Sequence, residues 1–452
     1  MRQAIHAAGP VLLAALLLVF GNGLLGTLTS LRLASESSTL IAGIATSAYF
    51  AGQMAGAIYG QRTLRAVGHI RAFAAFAVIG AAAATLQPLL EVGWTWALLR
   101  FVYGVAVVVM FLAMESWLNA SVANEARGSV FSVYMTSVYC GLAVGQAPVA
   151  MLDLGAATGF SIASICVMLA AVPMCLTARA QPALDNDRPL SVWRIFTGSP
   201  AGAVAAVACG AFTGCLLGLG PIYAQAIGLS DTGVATFMAC FLLSGLIASW
   251  PLGKLSDRVD RRSVILVAVF AIAGAGGAGA LVDQQNLTLA YSLAAIFGFF
   301  SLPIYSIAVA HANDVMAGES PVATASGMIV AFGAGALAAP LVVAWLMATF
   351  SAAALPASMA GIAAATVIVL LARIAAKPTM PAEDKIAHQS LPRTTALAYA
   401  LDPWAAASAD DEPGTADAMS TTMPMDEADE HGWRDAWFTA EVGEAKDDTK
   451  PE

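Results

Sequence analysis

Charge is what this chain has least of. Only 11% of its 452 residues are Asp, Glu, Lys or Arg, where a soluble domain carries about 25%. Hydrophobic residues make up 59%, and the mean hydropathy is +0.75. A water-soluble globular protein is excluded, and an integral membrane protein is expected. No basic stripe points to nucleic acid. The six cysteines (Cys140, Cys166, Cys175, Cys209, Cys215 and Cys240) fall inside apolar runs without metal-ligand spacing. Neither a disulfide framework nor a metal site is expected from them. Ser116 and His311 have no G-x-S-x-G elbow around them, and the glycine-rich run 274–279 lacks a lysine. The expectation is a protein that is not an enzyme and has no cofactor.

What is present is apolar length. Twelve runs, at about 10–31, 39–60, 70–90, 94–118, 129–150, 158–178, 201–226, 233–253, 263–282, 288–310, 324–349 and 357–376, are each near the ~20 residues needed to cross a hydrocarbon core. The first run resembles a signal peptide at its start. Its apolar stretch continues past Gly21-Asn22-Gly23 to Leu31, as a retained helix would. Placing the N-terminus inside puts fourteen basic residues, from Arg2 to Lys377, on inner loops and flanks, and Arg32 alone outside. That bias sets both termini in the cytoplasm of an inner (plasma) membrane.

The longest inner connection before the tail, 179–200, separates six runs from six. The expected units are an N-terminal six-helix bundle (1–178), a cytoplasmic linker (179–200), a C-terminal six-helix bundle (201–377) and an acidic tail (378–452). The basic loop at 60–71 recurs at 253–262, an offset near 193. The Glu115/Asn119 end of the fourth run recurs as His311, Asn313 and Asp314 at a similar offset. Such repeats mark transporters built from related halves, with the site between them. The tail carries 17 acidic and 5 basic residues and too few apolar ones to offset its ordering entropy. Within it, Trp433 and Trp437 stand four apart. They would share a helix face, a candidate contact for a cytoplasmic partner.

Charges inside a span cost roughly 2.5–3.5 kcal/mol each and persist mainly where they face a protein interior or a wet cavity. The fourth run carries two, Arg100 and Glu115. Fifteen helical positions set them about 22 Å apart and within about 60° of one face. They cannot touch, but they can line the two ends of one pathway. Glu115 reads as a proton-exchanging group or as a gate residue paired with Arg127. Arg100 reads as a coupling residue or as an interfacial arginine whose head snorkels outward. His311 and Asp314 are the matching candidates in the second half, with His311 either titrating near neutral pH or capping its helix. Asn22, Gln53, Tyr134, Gln146, Tyr223, Gln225 and Tyr305 are polar positions inside spans and are candidate cavity residues. Gly52, Gly56 and Gly60 form a close-packing stripe, and Gly141 to Pro148 reads as a packing face with a kink.

The segment Pro251 to Arg262 resembles the major facilitator superfamily loop G-x-L-x-D-R-x-G-R-R, carried here by Gly253, Asp257, Arg258, Arg261 and Arg262, with Asp260 at the second glycine. Its first-half counterpart, Gly60 to Arg71, has no acidic residue. Leu98 to Gly104 resembles the superfamily's fourth-helix motif, an Arg followed four residues later by Gly. Glu115 to Asn119, Asn124 to Gly128 with Glu125 and Arg127, Trp250 to Gly253, and Ala310 to Asp314 look like the YcaD-like branch, over nearly all of residues 10–376. The resemblance implies an all-α major-facilitator fold, a lipid bilayer around it and transport of a small-molecule substrate; Glu115 and Arg100 within the fourth run motivate proton coupling as the expected drive. It does not name the cargo. Few charges fall at midspan, which favours a neutral, zwitterionic or amphipathic solute. A non-transporting sensor or assembly factor acting through the tail is the competing reading.

Overall fold

The computed structural model describes residues 2–90, 93–121, 124–153, 156–177, 192–281, 286–316 and 319–376. The first half contains α1 (Arg2–Glu36), α2 (Thr39–Val67), α3 (His69–Leu86), α4 (Gly93–Ser121), α5 (Asn124–Val144), α6 (Thr158–Leu169) and α7 (Ala171–Cys175). A short α8 (Val192–Gly198) precedes the second half. That half is α9 (Pro200–Ala226), α10 (Asp231–Arg258), α11 (Arg261–Leu281), α12 (Leu287–Ser301), α13 (Ile304–Val315), α14 (Pro321–Thr349) and α15 (Ala354–Ala376). No strand occurs among the described residues.

Among the described residues, eleven helical segments are long and apolar enough to cross a membrane. The twelfth expected span, α2, has the length (29 residues) but lies outside that set. Thr46, Ser47, Tyr49 and Gln53 dilute its apolar content, and α2 lies between α4 and α14. A helix facing protein needs less hydrophobicity than one facing lipid. Two spans are broken. Thr158–Cys175 divides at Ala170, three residues before Pro173. Leu287–Val315 divides before Pro303, which has no N–H to donate. The kink expected in the fifth span is there: α5 stops at Val144, and a 3₁₀ turn containing Pro148 (Ala147–Ala150) carries the chain on.

Glycines set how closely the helices approach. A Cβ at Gly52 would overlap the carbonyl oxygen of Phe101, and one at Gly56 would lie 3.0 Å from that of Val105, so α2 and α4 pack backbone to backbone. Gly104 sits against the Tyr49 carbonyl in the same way. The second half repeats the device near the expected offset: Gly298 of α12 sits against the Phe241 carbonyl of α10. Gly104→Leu is expected to destabilise the first half by about 1–3 kcal/mol or more. Loss of a monodisperse peak in detergent checks it, with Gly26→Leu, where a Cβ would meet nothing within 4 Å, as the control.

The two halves meet along α2 with α14, α1 and α2 with α9, and α5 with α10. Gly43 of α2 packs on Pro340 of α14 and Gly218 of α9 on Thr46 of α2, both at the end of the bundle away from α1's start. Gly333 meets Met54 near the middle.

Candidate functional site

Between the halves lies a cavity in two adjoining lobes of about 50 Å³ and about 110 Å³. Both share Asn22, Tyr49, Phe50, Leu142 and Leu217. The second half contributes Gly218, Met238 and Leu242 to the smaller lobe, and Thr213 and Phe332 to the larger.

A polar chain crosses the shared wall. The Tyr49 hydroxyl donates to Asn22 Oδ1 at 3.1 Å, and Gln53 Nε2 donates to the Tyr49 oxygen at 2.9 Å. In the smaller lobe, Thr27 Oγ1 donates to Gln146 Oε1 at 2.6 Å. Asn22, Gln53 and Gln146 thus line the cavity. Tyr49, Thr27 and Thr213 were not singled out from sequence. The available signal for Tyr49 was its i, i+4 spacing to Gln53, which puts both on one helix face.

Arg100 lines the smaller lobe and is 6% exposed. Its guanidinium carbon lies 4.4 Å from the Tyr49 ring centroid and 5.4 Å from that of Tyr103, within cation–π range. The side chain is turned into the bundle rather than out toward an interface. Glu115 is wholly buried, and the Tyr134 hydroxyl donates to its Oε1 at 3.1 Å. Phe111, one turn before Glu115 on α4, and Val138, one turn after Tyr134 on α5, both line the larger lobe. The Glu115–Tyr134 pair therefore lies one helical turn beyond the cavity wall, toward the end of the bundle where α1 starts. Arg100 lines one end of the cavity, and Glu115 lies beyond the other. The remaining candidates lie elsewhere. Tyr305 sits behind Phe332, its ring edge-on at 5.4 Å. Tyr223 packs on Phe237 at 6.1 Å. Gln225 is exposed at the end of α9.

The basic loop of the second half is a built network. Arg261, 1% exposed, donates from Nε to Asp314 Oδ2 at 2.7 Å and from Nη1 to Asp257 Oδ1 at 3.1 Å and to Ser256 Oγ at 3.3 Å. The Ser256 hydroxyl reaches the Gly253 carbonyl at 2.7 Å. Arg262 pairs with Asp260 at 2.9 Å and donates to the Arg373 carbonyl at 3.3 Å. Arg258 is exposed, and His311 is 9% exposed. The side chains of Glu125 and Arg127 lie outside the described residues. In the first half a neutral contact between His69 Nε2 and Ser116 Oγ, at 2.8 Å, joins the start of α3 to the end of α4. Arg261 and Asp314 join the start of α11 to the end of α13 in the same manner.

Asp260 has its own reason to replace glycine. Its Oδ1 accepts the Arg262 backbone N–H at 2.9 Å, capping α11. Burial pushes its carboxyl up, but the hydrogen bonds and charge of Arg262, with His311 nearby, outweigh this and hold it below the usual carboxylate range. A carboxyl lowered in the folded state stabilises above its unfolded pKa, and that stability is lost as pH falls through the folded value. Asp260→Ala is expected to cost about 1 kcal/mol at neutral pH. The difference from the native protein should vanish as pH is lowered below about 4. Paired melting curves across that range check both the size and the sign.

Repeated helical halves around a cavity with a single charged lining residue define a membrane transporter. The chain belongs to the Major Facilitator Superfamily, whose model matches residues 11–331 and 203–409. It is 28% identical over 376 residues to an uncharacterized MFS-type transporter of Enterobacter sp. (strain 638), covering 82% of this chain and 97% of that one. It is 30% identical over 370 residues to one of Yersinia enterocolitica, covering 80% and 95%. The MFS-type transporter YcaD of Escherichia coli is 28% identical over 345 residues, covering 74% and 87%. Among solved structures, the nucleoside transporter NupG superposes with TM-score 0.67 at 12% identity over 81% of this chain and 98% of that one. A bacterial homologue of the human lysosomal transporter Spinster, inward-facing and unoccupied, gives 0.63 at 15% over 82% and 95%. The resemblance read from the loop segments is borne out, and the protein is a multi-pass membrane transporter.

Proposed function

We propose that the protein moves a small organic solute across the inner membrane by alternating access, driven by protons that Glu115 takes up and releases. The observation that carries this is the position of Glu115, wholly buried and one turn from the cavity lining. A carboxyl there gains or loses a proton as its surroundings change from dry to wet. Asp314, held by Arg261, and His311 serve the gate at the same end of the second half. The moving bodies are the bundles 1–178 and 201–377, joined by the cytoplasmic linker 179–200, with both termini cytoplasmic. Support comes from the packing of Gly43 on Pro340 and Gly218 on Thr46 at the far end of the bundle. Those contacts would separate in the opposite state.

The test is transport in proteoliposomes. Uptake that an imposed proton gradient drives, and a protonophore abolishes, is the expected result. Uptake indifferent to the protonophore would make the protein a uniporter. No flux in the full chain, with a phenotype lost on deleting 378–452, would favour a recruiting role for the tail instead.

A further inference from the structure

The strongest unexplained feature is Arg100. It is the one charged side chain among those lining either lobe of the cavity. It makes no ion pair among the described residues, and its Nη1 is buried without a hydrogen-bond partner. The hydroxyl of Tyr103, against which it lies, is also buried and unpartnered. A buried cation without its counter-charge is costly, and so is each buried donor left unmade. Nothing in the packing requires that cost. The second half builds the same helix contact, Gly298 on the Phe241 carbonyl, with Phe241, Phe297 and Ala294 where the first half has Tyr49, Tyr103 and Arg100. All three are buried there. The apolar version is therefore sufficient to pack the helices, and the polar version in the first half serves something else.

We infer that Arg100 receives a carboxylate of the transported solute, so that the cargo is an organic acid with an apolar body. This rests on the transporter reading above and deepens it. The two tyrosine rings lie against the guanidinium but offer Nη1 no hydrogen-bond acceptor, a role that the acid would fill. A planar carboxylate matches the fork of a guanidinium. The larger lobe, walled by Phe50, Phe111, Met135, Val138 and Phe332, suits the hydrocarbon part. Neither lobe is lined by Asp or Glu, so a cationic solute has no counter-charge there. Of the cargo classes the sequence favours, the amphipathic one survives, with a negative head.

The test measures binding separately from flux. Full-length protein is titrated with matched probes, phenylacetate and hexanoate against phenylacetamide and hexanamide, together with a wider organic-acid panel. Melting midpoint and intrinsic tryptophan fluorescence are the readouts. Acids are expected to stabilise the native protein and their amides not. Arg100→Gln should weaken acid binding roughly ten- to a hundredfold, and Arg100→Lys should retain part of it. Amides that bind as well as acids, acids that bind Arg100→Gln undiminished, or a panel in which no acid stabilises the native protein would each overturn the inference. If Arg100→Gln does not fold, the acid–amide comparison on the native protein decides alone. Acid binding lost in Arg100→Gln without flux in any condition would keep this site and remove the transporter reading. Proton-driven flux of a neutral solute, with no acid bound, would do the reverse.

Discussion

Glu115→Gln is expected to abolish proton-driven accumulation while leaving solute exchange intact. Glutamine keeps the size of the side chain and an oxygen to accept the Tyr134 hydroxyl, now 3.1 Å from the carboxylate. The α4–α5 contact should therefore survive, and the purified variant should melt close to the native protein. What glutamine cannot do is carry a proton from one side to the other. An acid anion carried with one proton moves without net charge, so the pH gradient drives it: one pH unit is worth about 1.36 kcal/mol, or roughly tenfold accumulation. In the variant that ratio should fall to about one. Counterflow, in which labelled solute enters against unlabelled, needs no proton and should persist. Tyr134→Phe removes the donor but keeps the carboxyl, and accumulation should remain. Undiminished gradient-driven uptake in Glu115→Gln would remove Glu115 from the mechanism, and loss of both exchange and accumulation would mark it as structural.

The candidates that sequence exposed were those that conflict with their surroundings. Arg100 and Glu115 stand out because a charge in an apolar run is expensive wherever it lands. The glycine stripe of α2 stands out because small residues at helical spacing have one common use. Partners were not legible in the same way. Tyr49 is an ordinary aromatic residue in an apolar segment until the α2–α4 contact brings it to Arg100. That contact depends on Gly52 and Gly104, which lie on different helices. The same holds for His69 and Ser116, which are 47 positions apart. Gln225 does not join the cavity. It lies in the last turn of α9, which ends at Ala226, and its side chain is exposed. Apolar length reports that a residue lies in a span, not which way its side chain faces. Asp260 departs from the loop pattern, and the sequence shows the substitution without its reason. In the fold it is a gain, because a carboxylate at that position caps α11 and a glycine could not.

Breaking the Arg261–Asp314 pair is expected to cost more stability than any other single substitution in the loop, with a definite asymmetry. The two side chains are 1% and 3% exposed, so neither charge has water to fall back on. Removing one partner of a buried pair typically costs about 3–5 kcal/mol, because the other is left with its desolvation uncompensated. Arg261 keeps Asp257 and Ser256 when Asp314 is replaced. Asp257 is 34% exposed and can share solvent with it. Arg261→Leu breaks the bonds to Asp314, Asp257 and Ser256 together and should cost more than Asp314→Leu, which leaves the last two in place. The double variant should recover much of the loss, since an apolar pair of similar bulk has no charge to strand. A double-mutant cycle on melting in detergent measures the coupling directly. Additive losses would show that the two residues act separately. The first half predicts its own control: His69 and Ser116 make the equivalent link without charge, so Ser116→Ala should cost only about 1 kcal/mol. That end of the second half is thus tied by an ion pair and that of the first by a hydrogen bond. Raising salt should loosen the exposed Asp257 contact and leave the buried Arg261–Asp314 bond nearly unchanged.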